Sequence, residues 1–358
     1  MTIVQYITPS RLGGAETYFL TLCAFLARRG HRVIIVTKRD SPFRVEADKL
    51  RSLGVEVRAW HTRGKFDPVT VWRLVRLLRR ERAQLLNTHL TTASWIGAWA
   101  GKLARVPSAA WVHGRDSKLW FQFADTLLAV AASVREHLVA QGVPPRKIEL
   151  LYFGIDLRAF APIGDDERRA AREHFALPDG ARVVSVVAHL SERKGHRFLL
   201  EAMAGLPTDV HLLLAGEGVL ESELRAQATQ LGLSERAHFL GFQSDVQRVL
   251  AATDVFCLPS LKEGLPISIM EAQACALTVV ATRTAGVPEV VRESETGFLA
   301  EPADAGSLRA ALGRALDDPE RARRIGAAAR AFLEREFERE VRLAHIEAFF
   351  EIIAKKKM

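Results

Sequence analysis

The segment Val255-Phe256-Cys257-Leu258-Pro259-Ser260-Leu261-Lys262-Glu263-Gly264-Leu265-Pro266, running into Ile267-Ser268-Ile269-Met270-Glu271, decides the fold class. Its four leading apolar residues show no polar alternation and read as a strand buried on both faces. Pro, Ser and Gly then break the chain. Pro266 suits the first turn of a helix, where its missing N–H does no harm. Strand, loop and helix in that order form the repeating half of a parallel sheet covered by helices.

The same unit recurs on either side. Val183 to Ala188 and His211 to Ala215 read as buried strands, and Phe198 to Ala204, Leu220 to Leu231 and Ser268 to Ala276 as helices. Earlier in the chain, strands at Ile3 to Ile7, Val33 to Thr37 and Leu85-Leu86 alternate with helices at Ala15 to Arg29 and Val69 to Arg82. The fold class expected is therefore α/β, with two doubly wound Rossmann-like domains facing a cleft. A length of 358 residues accommodates two domains. The Gly154 to Asp166 stretch and the Leu177-Pro178-Asp179-Gly180 turn mark the junction. The expected division is residues 1–160, residues 161–338, and a C-terminal helix over 339–358. That helix carries Leu343, Ile346, Phe349 and Phe350 on a face that needs an apolar surface.

Composition bounds the answer. Hydrophobic residues make up 48% and charged residues 26%, which fits a globular chain and excludes collagen, mucin and wholesale disorder. Residues 1–150 carry 24 basic and 11 acidic side chains, a net of +13, while the whole chain is +8 and the remainder −5. So basic a first half prefers anionic partners: phosphates, nucleic acid or acidic lipid. Cys23, Cys257 and Cys275 form no C-x-x-C pair, which argues against a disulfide framework or a zinc site and for buried thiols. The N-terminus lacks a signal-peptide pattern, and no apolar run reaches the ~18 residues of a membrane span. A cytoplasmic protein is expected, lying against the inner face of a membrane at most.

The loops after strands hold the chemistry. Gly13-Gly14-Ala15-Glu16 opens a helix, where glycines permit close approach and unpaired N–H groups attract an anion. It is not a G-x-G-x-x-G fingerprint, and a ligand-free turn explains it equally well. Ala188-His189-Leu190-Ser191-Glu192-Arg193-Lys194-Gly195 puts two cations at a strand end, suited to a diphosphate or simply to solvent. Glu263 and Glu271, eight apart, suit sugar or ribose hydroxyls; otherwise they are a helix-start Glu and an exposed helix Glu. His89 and His113 each end a strand facing the expected cleft, although a lone His is more often structural. The helix from Val71 to Arg82 mixes apolar and basic faces, fit for a sheet or for acidic lipid.

Together these segments resemble family 4 retaining glycosyltransferases of the two-Rossmann GT-B fold, such as those building bacterial lipopolysaccharide and other surface glycans. Further matching segments are Gly154-Ile155-Asp156 with Phe160, Ala215-Gly216-Glu217-Gly218, Phe239-Leu240-Gly241-Phe242, Asp254, Gly286-Val287-Pro288-Glu289 and Thr296-Gly297-Phe298-Leu299. The resemblance implies a hexosyl transfer from a nucleotide sugar to a glycan or glycolipid, with retention and without a metal or cofactor. It implies a UDP-sugar ahead of a GDP-sugar, and a final helix returning to the first domain. Lys194, with Arg193 and His189, would hold the diphosphate. Glu263 would hold the donor sugar, Glu271 the ribose, and the N–H groups at Gly264 and Leu265 the phosphate or sugar. Gly13 and Gly14 would approach the donor, His113 would sit at the reacting centre, and Glu16 and His89 would face the acceptor. Here Ala188-His189-Leu190 stands where the family has Gly-Arg-Leu, so a titratable ring replaces a permanent cation. The alternatives are a GT-B epimerase or hydrolase, or a non-catalytic nucleotide-sugar binder. Nucleic-acid binding ranks low, because no aromatic-basic recognition motif is present.

Overall fold

The computed structural model describes residues 1–10 and 13–355. It contains two compact units: Met1–Gly154 joined by the C-terminal stretch from Glu340, and Ile155–Arg339.

The first unit is built on seven strands: β1 (Thr2–Ile7), β2 (Arg32–Lys38), β3 (Glu56–Trp60), β4 (Leu85–His89), β5 (Ser108–Val112), β6 (Thr126–Ala129) and β7 (Ile148–Leu150). All pairs are parallel, in the order β3-β2-β1-β4-β5-β6-β7. The second unit has β8 (Arg182–Val187), β9 (Val210–Ala215), β10 (Ala237–Gly241), β11 (Val255–Leu258), β12 (Thr278–Thr282) and β13 (Phe298–Ala300). These too are parallel, ordered β10-β9-β8-β11-β12-β13. Both sheets reverse direction of growth once, between β1 and β4 and between β8 and β11. Ligands of open α/β sheets bind beyond the strand carboxyl ends at that reversal.

The strands read as apolar runs because both faces are covered. Every residue of β4, β5, β9, β11 and β12 is buried. The helices bury one stripe only. In Pro68–Arg80, Leu74, Val75, Leu77 and Leu78 face the sheet, while Trp72, Arg73 and Arg76 face solvent. Asp67 caps that helix, accepting from the N–H groups of Val69 and Thr70 at 3.0 and 3.2 Å.

The last helix, Arg339–Lys355, packs in the first unit. Glu347 accepts from Arg29 Nε at 3.1 Å and meets His31 Nε2 at 2.8 Å, and Arg342 lies over the Tyr152 ring. Asp254 ties the second unit together: it receives Arg168, Arg172 and the Val183 N–H at 2.7, 2.7 and 2.8 Å. The three cysteines are free and buried. No helix among the described residues is long and apolar enough to cross a membrane.

Candidate active site

The sheet reversal in the second unit brings two loops together, the one after β8 and the one after β11. The turn Glu192–Lys194 receives the N–H groups of Leu261 and Lys262 on the Arg193 carbonyl, at 2.8 and 3.3 Å. Gly195 sits in the left-handed region at φ 65°, and a Cβ there would run into the carbonyl oxygen of Pro259. Glycine is therefore required twice over, for its conformation and for the close approach.

This junction seats Lys194 beside Glu263. Their Nζ and Oε1 atoms are 2.5 Å apart, and both side chains are largely shielded from solvent. Sixty-nine residues separate them in the chain. The sequence singled out each but carried no sign that they pair. Burying a carboxylate at Glu263 requires such a partner, and the paired ammonium stays fixed at the strand ends. Arg193 is exposed next to it, and His189 is half-buried at the second loop position after β8.

The loop after β11 leads into the helix Ile267–Ala274. Pro266 occupies the capping position rather than the first helical turn, and no side chain caps this start. Its leading N–H groups are thus available to an anion. Leu265 is buried, so it offers a ligand its backbone and not its side chain. Glu271 lies about one turn beyond the helix start at Ile267 by its sequence position. It is not an ordinary exposed helix glutamate: burial pushes its carboxyl up to about 7.

Neighbouring loops are fastened to the same platform. Gly216 and Gly218, after β9, admit the carbonyls of Ala188 and Leu190 where a Cβ would collide. Leu190 N–H donates to Glu217 at 2.9 Å, and Thr282 Oγ1 donates to the Ser260 carbonyl. These contacts explain several residues that the sequence marked without a role.

In the first unit the reversal lies at β1 and β4. Gly13 precedes the helix Gly14–Arg28, whose start has no side-chain cap. A Cβ on Gly13 would crowd Glu16 Oε2 at 3.0 Å, so that glycine lets the Glu16 carboxylate fold back over the helix start. Glu16 is nearly buried.

His89 has no exposed surface, and both its ring nitrogens are engaged. It touches a ligand only through its neighbour. Asn87 Nδ2 donates to Gln5 Oε1 at 2.7 Å and to His89 Nε2 at 3.0 Å. His89 Nδ1 lies 3.2 Å from His113 Nε2, so one ring donates to the other. His113 Nδ1, on the other side of that ring, is buried and without a hydrogen-bond partner among the described residues. Burial pushes His113 down to about 4, and burial plus the neighbouring ring lowers His89, so both rings are neutral at pH 7. The chain Gln5–Asn87–His89 thus runs by hydrogen bonds to the ring of a neutral His113. Gln5 and Asn87 were missed in the sequence, because nothing local distinguishes a polar residue inside a buried strand from one at its edge.

Replacing Asn87 by Leu removes the donor at nearly the same volume. The expected result is a mixture of His113 tautomers in imidazole ¹⁵N spectra, against a single tautomer in the parent. A single tautomer in both proteins would show that the chain does not set it.

For a metal, the donor atoms of His31, Glu347 and Glu351 lie within 4.8 Å of one another. Glu347 is already held by Arg29 and His31, so the grouping serves as the clasp of the C-terminal helix. It lies on the first unit.

Comparison with known proteins agrees with this geometry. Residues 12–159 match the family "Glycosyltransferase Family 4", and residues 167–332 match "Glycosyl transferases group 1". The D-inositol 3-phosphate glycosyltransferase of Mycobacterium sp. (strain KMS) is 31% identical over 335 residues, covering 82% of this chain and 75% of that one. The chain belongs to the family 4 glycosyltransferases. A second relative is the GDP-mannose-dependent monoacylated alpha-(1-6)-phosphatidylinositol monomannoside mannosyltransferase of Corynebacterium glutamicum. It is 29% identical over 362 residues, 93% of each chain. The crystal structure of Anabaena HepE with UDP-glucose superposes at a TM-score of 0.89, with 22% identity over 98% of this glycosyltransferase and 99% of HepE. The fold is GT-B, as the sequence resemblance implied.

Proposed function

We propose that this glycosyltransferase moves a hexosyl group with retention of configuration, without a metal, from a nucleotide sugar to a glycan or glycolipid of a bacterial surface. The observation that carries the donor site is the Lys194–Glu263 pair at the sheet reversal of the second unit. The donor diphosphate lies against Lys194, Arg193 and the uncapped helix start at Ile267. These supply the charge that a leaving diphosphate needs. His189 adds a donor in its neutral or charged form. Glu263 accepts from donor-sugar hydroxyls while remaining paired, and the N–H groups at Gly264 and Leu265 complete the contact. Glu271, once ionised, accepts from the ribose hydroxyls. Gly13 and Gly14 leave room for the donor.

His113 Nδ1–H donates to an oxygen of the donor sugar, as a neutral group that does not repel the developing positive charge at the anomeric carbon. Glu16 remains the acceptor residue of the first unit, and His89 acts through His113. In the reaction the anomeric carbon–phosphate oxygen bond breaks, and the acceptor oxygen bonds the same face. The departing diphosphate takes the acceptor proton. An epimerase or hydrolase reading has no observation of its own to favour it.

A UDP-sugar is the first donor to test. HepE was crystallised with UDP-glucose, and the corynebacterial relative is named for GDP-mannose, so both belong in one experiment. A cognate nucleotide sugar at 100 times its Kd raises stability by about 2.7 kcal/mol through mass action, read as a rise in Tm. The response is pH-dependent with a fixed sign. Ribose hydroxyls donate to ionised Glu271, so affinity increases as pH rises through about 7. The unliganded protein behaves oppositely. A carboxyl raised above its ordinary 4.5 leaves stability complete below that value and loses it as pH climbs through about 7. Glu271→Gln flattens both profiles. A nucleotide sugar serves better than the free diphosphate, whose terminal phosphate itself titrates near pH 6. No Tm rise with any nucleotide sugar would sink the donor assignment, and a parental pH profile in Glu271→Gln would sink the ribose contact.

A further inference from the structure

We propose that the face formed by the helices Pro68–Arg80 and Thr91–Ala104 of the first unit docks on an anionic bilayer surface, with exposed aromatic side chains as its anchors. This rests on the glycolipid part of the reading above and locates it on the molecule.

Two observations converge on that face. The first is apolar. Phe66 is 75% exposed and Trp72 61%, and Val69, Trp99 and Leu103 are exposed beside them. Large side chains in solvent are unremarkable singly, but these are contiguous. The half-buried Trp95 ring meets Phe66 at 5.6 Å, Trp99 at 6.4 Å and Trp120 at 6.0 Å, each edge to face. Arg79, on the first helix, donates to the Leu103 carbonyl on the second at 2.6 Å, which closes the surface across the two helices.

The second observation is charge. Residues 61–80 and 91–107 contain Arg63, Lys65, four arginines between 73 and 80, Lys102 and Arg105. Their one acidic residue is Asp67, which is buried and spent on capping the first helix. No carboxylate from these stretches reaches the surface; Glu81, one residue beyond, pairs with Arg80 at 2.7 Å, while Arg73 and Arg76 stay exposed. Several cations also sit on the rings themselves: Lys65 lies 3.4 Å from the Trp120 centroid, Arg76 lies over Trp72, and Lys102 over Phe123.

An aromatic group with a cation on its face is suited to one boundary, where a hydrocarbon interior meets anionic headgroups. Trp and Phe insert at headgroup depth, while Arg and Lys reach the phosphates. A nucleic acid would use the cations but would leave Val69, Leu103 and the outer edge of Phe66 facing water. No helix among the described residues is long and apolar enough to span, and the proposed contact is with the bilayer surface.

The test uses the full chain and vesicles of phosphatidylglycerol or phosphatidylcholine, read by co-sedimentation. Binding to phosphatidylglycerol is expected, falling as salt screens it, with little binding to phosphatidylcholine. Phe66→Ser with Trp72→Ser, and separately Arg73→Glu with Arg76→Glu, should each lower vesicle affinity about tenfold or more. All four positions are at the surface, so the variants fold. Their Tm rise with a nucleotide sugar is the control and should match the parent. Parental vesicle binding in both variants would overturn the proposal, as would equal binding to the two lipids or binding to a nucleic acid with none to vesicles. Loss of vesicle binding with an intact donor response, in the parent itself, would overturn the docking face and leave the donor site standing.

Discussion

Replacing Lys194 by Ala is expected to lower kcat/KM about 10²–10³-fold, the range for removing one preorganised donor from a developing anion. Lys194 is fixed beside the departing diphosphate, so its charge acts most strongly when the bond to the sugar breaks. The loss should therefore appear chiefly in kcat. The same substitution has a second consequence, because Glu263 is then left shielded and unpaired. Removing one partner of a buried pair costs about 3 kcal/mol or more. Glu263 side chain exposure is 6% and that of Lys194 is 16%, so this pair is close to that limit. The two effects separate in a double variant. Adding Glu263→Gln to Lys194→Ala should recover most of the lost Tm, since a neutral amide tolerates burial better than a bare carboxylate. It should recover no turnover, since the cation is still missing. Lys194→Arg is not a conservative control, because a planar fork does not fit a point-charge site. Unchanged turnover in Lys194→Ala would remove the lysine from the mechanism. Restored turnover in the double variant would mean that Lys194 serves only to neutralise Glu263.

Much of this site is written locally in the sequence, and some of it is not. The buried strand at Val255 to Leu258, its breaking loop and the helix after it are short-range patterns, and they appear where the apolar run and Pro266 put them, with Pro266 one position earlier than its helix preference suggests. The strand at Leu85-Leu86 extends to His89, because Asn87, Thr88 and His89 each find a hydrogen-bond partner inside the unit, which hydropathy cannot foresee. Strands β3, β7 and β10 are short or polar at the sheet edges, so no apolar run announces them, and β6, between β5 and β7, is only four residues long. The pairing of Lys194 with Glu263 and the relay to His113 are long-range facts. They depend on the strand order, which places the loops after β8 and β11 side by side although 60-odd residues intervene. Motif residues such as Asp254 and Gly216 turn out to hold backbone together, which is a reason for their identity that spacing alone does not reveal.

That last point makes Gly195 a sensitive position in the second unit, since it joins the loops that carry Lys194 and Glu263. Gly195→Ala would require a left-handed backbone for an L side chain, costing about 1 kcal/mol. It would also drive a Cβ into the Pro259 carbonyl, which is backbone and cannot rotate aside. The two loops must then part. Because Arg193 O accepts from Leu261 and Lys262 N–H at this contact, parting them costs hydrogen bonds and withdraws Lys194 from Glu263. The expected result is a stability loss of about 2–4 kcal/mol in total, together with loss of the Tm response to nucleotide sugar. Gly180 supplies the internal control. It has the same left-handed backbone, at φ 74°, but nothing lies within 4 Å of a Cβ there. Gly180→Ala should therefore show the conformational cost alone and a full donor response. If the two variants lost equal stability and both kept the donor response, the loop contact would not be what positions Lys194. If Gly195→Ala alone fails in both, the donor site depends on a backbone junction rather than on the charged side chains by themselves.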